Sequence, residues 1–250
     1  MMRLDKFLVS MEIGSRSQVK DFIKKGLVKV NGQVVKSGDM KINEYEDVVD
    51  YNGQRLYYAE YVYYMLHKPA GVVTATQDNH DKTVMELLDP SVRKKDLFPV
   101  GRLDKDTEGL LLITNDGELA HKLLSPKRHV DKTYLAELAL PIHEQALKAL
   151  EEGVDIGEEK PTLPAKAEKI NAKSIRLTIH EGKFHQVKRM LKAVENEVVY
   201  LKRLTFGSLI LEETLEAGKY RPLSECEISD LRKLVERNKI YDKRYSSHYF

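Results

Sequence analysis

Gly101-Arg102-Leu103-Asp104-Lys105-Asp106-Thr107-Glu108-Gly109 runs straight into Leu110-Leu111-Leu112-Ile113. Asp104 stands between two basic side chains, Arg102 and Lys105, in a loop with glycine at either end. The apolar run behind the loop is short and fits a buried strand. Only a tight turn separates the charges from the core, so the pattern predicts an acid held at the edge of a rigid sheet. Loops anchored this way often carry catalytic groups. Asp is also a common turn residue, so the spacing alone leaves its role open.

At 250 residues the chain can bury a sizeable core and can form two domains. Lys and Arg number 41 against 39 Asp and Glu, a net charge of +2, so the total does not argue for nucleic acid. Distribution says more. Residues 1 to 36 hold eight Lys or Arg against three Asp or Glu. The single Cys226 excludes an intrachain disulfide framework and a cysteine-based metal cluster. It fits a reducing compartment. The opening Met1-Met2-Arg3-Leu4-Asp5-Lys6 has no apolar signal core, and no apolar run approaches a membrane span. A cytoplasmic protein with no membrane contact is expected.

Downstream of the central stretch, Asn115-Asp116-Gly117 ends the strand and Glu118 to Leu124 should be helical, stopped by Pro126. Basic Lys127-Arg128-His129 precede Lys132-Thr133-Tyr134-Leu135, which reads as a strand. A helix over His143 to Glu152 ends at Gly153. Lys166 to Ile170 and Ser174 to Ile179 read as paired strands joined by Asn171-Ala172-Lys173. Glu181-Gly182-Lys183-Phe184-His185-Gln186-Val187-Lys188-Arg189-Met190 opens the next helix. There Val187, Met190, Leu191 and Val194 face inward, while His185, Lys188 and Lys192 form a basic face. Val198 to Thr205 is a further strand, and Ser224 with Glu227 forms a capping box for a helix carrying Ile228, Leu231, Leu234 and Val235. From Lys239 the tail is basic and rich in tyrosine, and disorder is expected there.

Upstream, Asp96 to Val100 leads into the central loop, and Thr83 to Leu88 predicts a short helix stopped by Pro90. Val62 to Leu66 begins the second domain as a strand, ended by His67-Lys68-Pro69-Ala70-Gly71. A linker falls at Tyr57 to Tyr61, within five tyrosines between residues 57 and 64. Packing on a sheet explains these rings better than stacking on RNA bases. At the N-terminal end, Leu4, Phe7, Leu8 and Met11 share one helix face. Ser15 can cap a second helix, with Val19, Phe22 and Ile23 inward and Gly26 at its end. Val28 to Val30, Asn31-Gly32 and Val34-Val35 read as a tight hairpin, and Val48-Val49 as a closing strand. Arg16, Lys20, Lys24 and Lys25 fall on the polar side of the second helix, where a solvated face is the ordinary reading.

Three stretches together resemble the pseudouridine synthases, in the RsuA/RluB/RluE/RluF family. They are HKPAGVVTAT from His67, the GRLD-DxTEGLLL segment with the later KTY, and EGKFHQVKRM from Glu181. RLDKFL…GSRSQVKDFIKKGLVKVNGQVV resembles the S4 RNA-binding module. The central segment from Asp96 to Tyr134 is more similar to the small-subunit branch than to the large-subunit branches. The resemblance implies an α+β protein: a small S4-like head over 1–59 and a catalytic domain over 60–238, with 239–250 as the tail. The catalytic domain should hold a mixed, largely antiparallel sheet with flanking helices.

The resemblance further implies that Asp104 is catalytic, that Lys68 and Pro69 support the catalytic loop, that Tyr134 packs against the base or sugar, and that Lys188 pairs with Asp104. Many relatives have Arg at the Lys188 position; Lys keeps the charge and loses the bidentate fork. Arg102, Lys68, His185, Arg16, Lys20, Lys24 and Lys25 are the expected RNA contacts. The substrate would be ribosomal RNA, with a single uridine of 16S rRNA in an assembly intermediate favoured over 23S. The reaction changes neither oxidation state nor mass, so no cofactor and no metal is expected, and a monomer suffices. Two other classes stay open. A non-catalytic RNA-binding assembly factor is one. The other is a metal-dependent phosphodiesterase, for which Asp104, Asp106 and Glu108 would line one face of a strand.

Overall fold

A computed structural model describes residues 1–245 apart from Glu12, Tyr57, Ala59, Ser91, Lys94 and Lys95, with only the backbone over 238–245. The chain divides into two compact units, Met1–Glu60 and Tyr61–Phe250.

In the first unit, β1 (Met2–Arg3) leads into α1 (Leu4–Ser10) and α2 (Arg16–Lys24). Ser15 caps α2 with a reciprocal box: its hydroxyl accepts from Gln18 N and Gln18 Oε1 accepts from Ser15 N. β2 (Val28–Val30) and β3 (Gln33–Val34) form a hairpin in which Asn31 and Gly32 both take positive φ. Their backbone twist matches that of the strands. β4 (Lys41–Ile42) pairs with β1, and β5 (Val49–Tyr51) with β2. β6 (Gln54–Leu56) folds back on β5 through an Asn52-Gly53 turn. Leu4, Phe7, Leu8, Val19, Ile23, Val28, Val30, Ile42 and Val49 form the core. Phe22 is only half-buried and packs against Tyr51.

The second unit is built on a mixed, largely antiparallel sheet. In chain order its elements are β7 (Tyr63–Lys68), β8 (Phe98–Val100), β9 (Glu108–Thr114), α3 (Gly117–Leu124) and β10 (Lys132–Leu138). α4 (Glu144–Glu152), β11 (Lys166–Asn171), β12 (Ser174–Ile179), α5 (Gln186–Ala193), β13 (Val198–Phe206), β14 (Leu209–Ile210), β15 (Tyr220–Pro222) and α6 (Glu225–Tyr245) follow. The strand order is β11-β12-β10-β13-β9-β7-β15, with β14 on β13 and β8 on β9. Only β13 and β9 run parallel among the described pairs. One edge of β9 is shared: β13 takes Glu108 and Gly109, and β8 takes Leu112 to Thr114.

The apolar run is continuous because β9 is buried on both faces. Leu111 and Ile113 enter one core with Tyr134, Val187, Met190 and Leu191; Leu110 and Leu112 enter another with Phe206, Leu231 and Val235. Three expectations need correction. Strand β7 does not stop at Leu66 but continues through His67 and Lys68, which pair with Leu110 and Gly109. The predicted helix after Thr83 is one 3₁₀ turn, Val84–Leu87. The tail is not disordered from Lys239, since α6 runs on to Tyr245, while 246–250 lie outside the described residues. Tyr63 and Tyr64 pack as sheet aromatics, Tyr63 donating to Asp116 at 2.6 Å and Tyr64 meeting Tyr220 edge-on. Tyr57 lies outside the described residues. Among the described residues no helix is long and apolar enough to cross a membrane.

Candidate active site

Asp104 lies in the loop between β8 and β9, and that loop is braced from below. Thr74 Oγ1 donates to Leu103 O at 2.7 Å, and Leu103 N lies 3.1 Å from the same hydroxyl. Thr107 N donates to Asp104 O at 3.1 Å, closing a tight turn. The Lys68 ammonium donates to three backbone carbonyls, Thr107 O at 2.8 Å, Pro69 O at 3.0 Å and Lys105 O at 3.2 Å. Lys68 is fully buried, and burial brings its pKa to about 8 although the acids of the loop oppose the shift. It cannot reach RNA. The expectation of an RNA contact at Lys68 is therefore wrong; its ammonium is spent as the donor to these three carbonyls beneath the catalytic loop.

Helix α5 supplies the partner of the acid. Val187, Met190 and Leu191 anchor the helix in the core, which leaves Lys188 facing the loop. Its Nζ stands 3.1 Å from Asp104 Oδ2 and 2.6 Å from Asp106 Oδ1. Burial works against the charge on Lys188, yet bonds to the two carboxylates hold its pKa above the ordinary value. The same bond holds Asp106 below the usual carboxylate range. The sequence reading placed Lys188 beside Asp104 and missed Asp106, whose only signal was its place two residues on.

His185 does not lie on the helix as expected. It caps α5 in a left-handed conformation at φ 48°, which swings Nε2 to 3.4 Å from Asp104 Oδ1. Its ring stacks on the exposed Phe184 at 3.8 Å between centroids. Tyr134 sits at the centre of β10, opposite Leu177 on one side and Arg203 on the other. These side chains line a cleft of about 560 Å³ together with Arg102, Lys132, Arg203 and Phe206. That volume lies in the ordinary range of small-molecule pockets. Arg102 is exposed at the rim and has no hydrogen-bond or ion-pair partner among the described residues.

Asp104, Tyr134, Lys188, Arg102 and His185 thus converge on one cleft, and Lys68 lies beneath it. Arg16, Lys20, Lys24 and Lys25 belong to the other unit, where all four are exposed along α2 and its C-terminal end. The metal reading required Asp104, Asp106 and Glu108 on one strand face. Instead Asp104 and Asp106 both turn to Lys188 from a loop, while Glu108 opens β9 and accepts from Tyr200 Oη at 2.9 Å. Among the described residues no group of three or more His, Cys, Asp or Glu is arranged to hold a metal ion.

An acid in a braced loop, a lysine from a distant helix and a buried tyrosine meet at one cleft, the layout of an enzyme's active site. The chain belongs to the RNA pseudouridylate synthase family, whose model matches residues 62–193, with an S4 domain matched over residues 2–48. It is 42% identical over 233 residues to ribosomal small subunit pseudouridine synthase A of Haemophilus influenzae, covering 93% of this chain and 100% of the relative. It is 40% identical over 245 residues to ribosomal large subunit pseudouridine synthase B of Bacillus subtilis, covering 96% and 99%. A crystal structure of a pseudouridylate synthase aligns with a TM-score of 0.66 at 43% identity, over 92% of this chain and 100% of that one.

Proposed function

We propose that this pseudouridine synthase acts on ribosomal RNA in the cytoplasm and converts one uridine of 16S rRNA. The observation that carries the chemical reading is the Asp104 carboxylate, half-exposed to the cleft and held by Lys188 at 3.1 Å. Isomerisation breaks the bond from C1′ to N1, turns the base, and rejoins it through C5. Asp104 would meet the positive charge that develops at C1′, either by bonding to it or by facing it. Lys188 pairs with that carboxylate and aims it at the cleft. Tyr134 would stack on the base. A uridine inside a helix cannot reach Asp104, so it is turned out of the stack at a cost of a few kcal/mol. Arg102 at the rim is placed to hold a neighbouring phosphate or fill the vacated space. The cations of α2 add phosphate contacts that anchor the substrate without choosing the base.

The choice of 16S rRNA rests on the small-subunit relative and on the central segment; the large-subunit relative supports 23S rRNA as the second reading. Chemical mapping of pseudouridines in 16S and 23S rRNA from a strain lacking the gene separates them. Loss of one site in 16S is expected. Loss confined to 23S transfers the substrate, and unchanged rRNA overturns the proposal.

A further inference from the structure

The floor of the cleft carries two cations that the chemistry above does not use. Arg203 lies directly across from Tyr134 in the pairing of β10 with β13, and Lys132 across from Phe206. Cross-strand partners share a sheet face, and so do residues two apart on one strand. The pairing shifts register between Thr133 and Tyr134, and across that irregularity Lys132, Tyr134, Arg203 and Phe206 all line the cleft of Asp104.

Both cations are buried, Arg203 to 2% exposure and Lys132 to 9%. Arg203 Nε donates to Leu110 O at 2.7 Å, and its guanidinium carbon lies 5.2 Å from the centre of the Phe206 ring. Its Nη2 is buried without a hydrogen-bond partner. Lys132 Nζ donates to Val130 O at 2.8 Å and lies 5.7 Å from the same ring. Burial first, and then the Arg203 charge, bring its pKa to about 8, while Asp131 and Glu181 act on it the other way from a distance. Neither cation makes an ion pair among the described residues. An unpaired donor and two buried charges without a counterion cost stability. Native folds rarely leave such a group unmatched, and an orphan calls for an explanation.

The ligand supplies the missing partner. When the C1′–N1 bond breaks, its electron pair goes to N1 and the base becomes an anion whose charge spreads to its carbonyl oxygens. Asp104 meets the positive charge left on C1′. Bonding electrons from C5 then form the C1′–C5 bond, the C5 proton leaves, and N1 takes up a proton. The sum of these steps neither gains nor loses an atom or an electron. We infer that Arg203, with Lys132 beside it, is a further catalytic residue, its guanidinium meeting a carbonyl oxygen of the detached uracil anion. A fixed cation in a water-poor pocket stabilises charge that appears only during reaction. It also keeps the free base from escaping while it turns. The inference rests on the isomerase reading of the cleft.

The test uses the full chain with its rRNA substrate and the variants Arg203→Gln, Arg203→Lys and Lys132→Met. Arg203→Gln should slow single-turnover pseudouridine formation about 100-fold. RNA affinity should stay within about twofold, and Arg203→Lys should recover about tenfold of the rate. Binding of two free pyrimidines supplies a readout that a packing role would not move. Barbiturate, an anion at neutral pH, should bind the wild type more tightly than neutral uracil. Arg203→Gln should lose that preference by about tenfold. If Arg203→Gln does not fold, Arg203→Lys and Lys132→Met carry the measurement, with the preference falling by at least about threefold. An unchanged preference, or a rate loss matched by an equal loss of RNA affinity, overturns the assignment. Absence of pseudouridine with the wild type would instead overturn the function proposed for the cleft.

Discussion

Lys188 divides one ammonium between Asp104, at 3.1 Å, and Asp106, at 2.6 Å. The shorter bond goes to the more exposed carboxylate, with Asp106 72% exposed and Asp104 26%. Asp106 therefore steadies the lysine, and the lysine steadies the acid that faces the cleft. Lys188→Met leaves Asp104 without its cation and should lower kcat about 100-fold with RNA affinity little changed. Asp106→Asn keeps the Asp104 contact and should lower kcat by no more than about fivefold. Steady-state kinetics of the two variants side by side checks the order.

Lys68 holds the floor of the loop through three carbonyls. Lys68→Met strips their donor, and the expected cost is about 2–4 kcal/mol in urea unfolding. Activity should fall with it because Leu103 to Thr107 lose their support. Affinity for RNA should stay within about twofold once the variant is folded, since Lys68 is sealed from solvent.

Gly109 sits at φ +111° where β9 meets β13, and a Cβ there would overlap the backbone nitrogen and oxygen of Arg203. The glycine after Glu108 thus has a packing reason as well as a conformational one. Gly109→Ala should destabilise by at least about 3 kcal/mol, read as a drop in denaturation midpoint.

Arg221 ties β15 to α6 by donating to both oxygens of Glu227, at 2.8 and 2.9 Å. The bond to Arg221 is the main reason the Glu227 pKa falls from 4.5 to about 2. A depressed carboxylate adds stability above its unfolded pKa and loses it as pH falls through the folded one. Wild type should exceed Glu227→Gln by about 1–2 kcal/mol at neutral pH. The gap should close between pH 4.5 and about 2, measured by thermal unfolding across that range.

Patterning exposed the long elements because each has its own periodicity. Leu110 to Ile113 reads as a doubly buried strand, Lys166 to Ile179 as a hairpin, and Val187 to Leu191 as a core-facing turn of helix. Strands β1, β4 and β15 are two or three residues long and exist through partners distant in sequence. No local period can reveal them. The meeting of Asp104, Tyr134 and Lys188 was reached by resemblance and not by spacing, because three separate elements deliver them. The resemblance placed Lys68 under the catalytic loop, and only its assignment as an RNA contact misled, because a lysine at a strand end ordinarily snorkels to solvent. The carbonyls that capture it belong to a loop nearly forty residues further along. Arg203 was overlooked for a related reason: Lys202 and Arg203 are adjacent, and a period of two does not say which points inward.

The central claim is tested most directly by tritium release from ribosomal RNA labelled at C5 of uridine, with wild type and Asp104→Asn compared at equal RNA occupancy. The wild type should release the label as C5 takes over the bond to the sugar, and Asp104→Asn should be slower by at least about 1,000-fold while binding the RNA equally well. Release by Asp104→Asn at the wild-type rate would contradict the account.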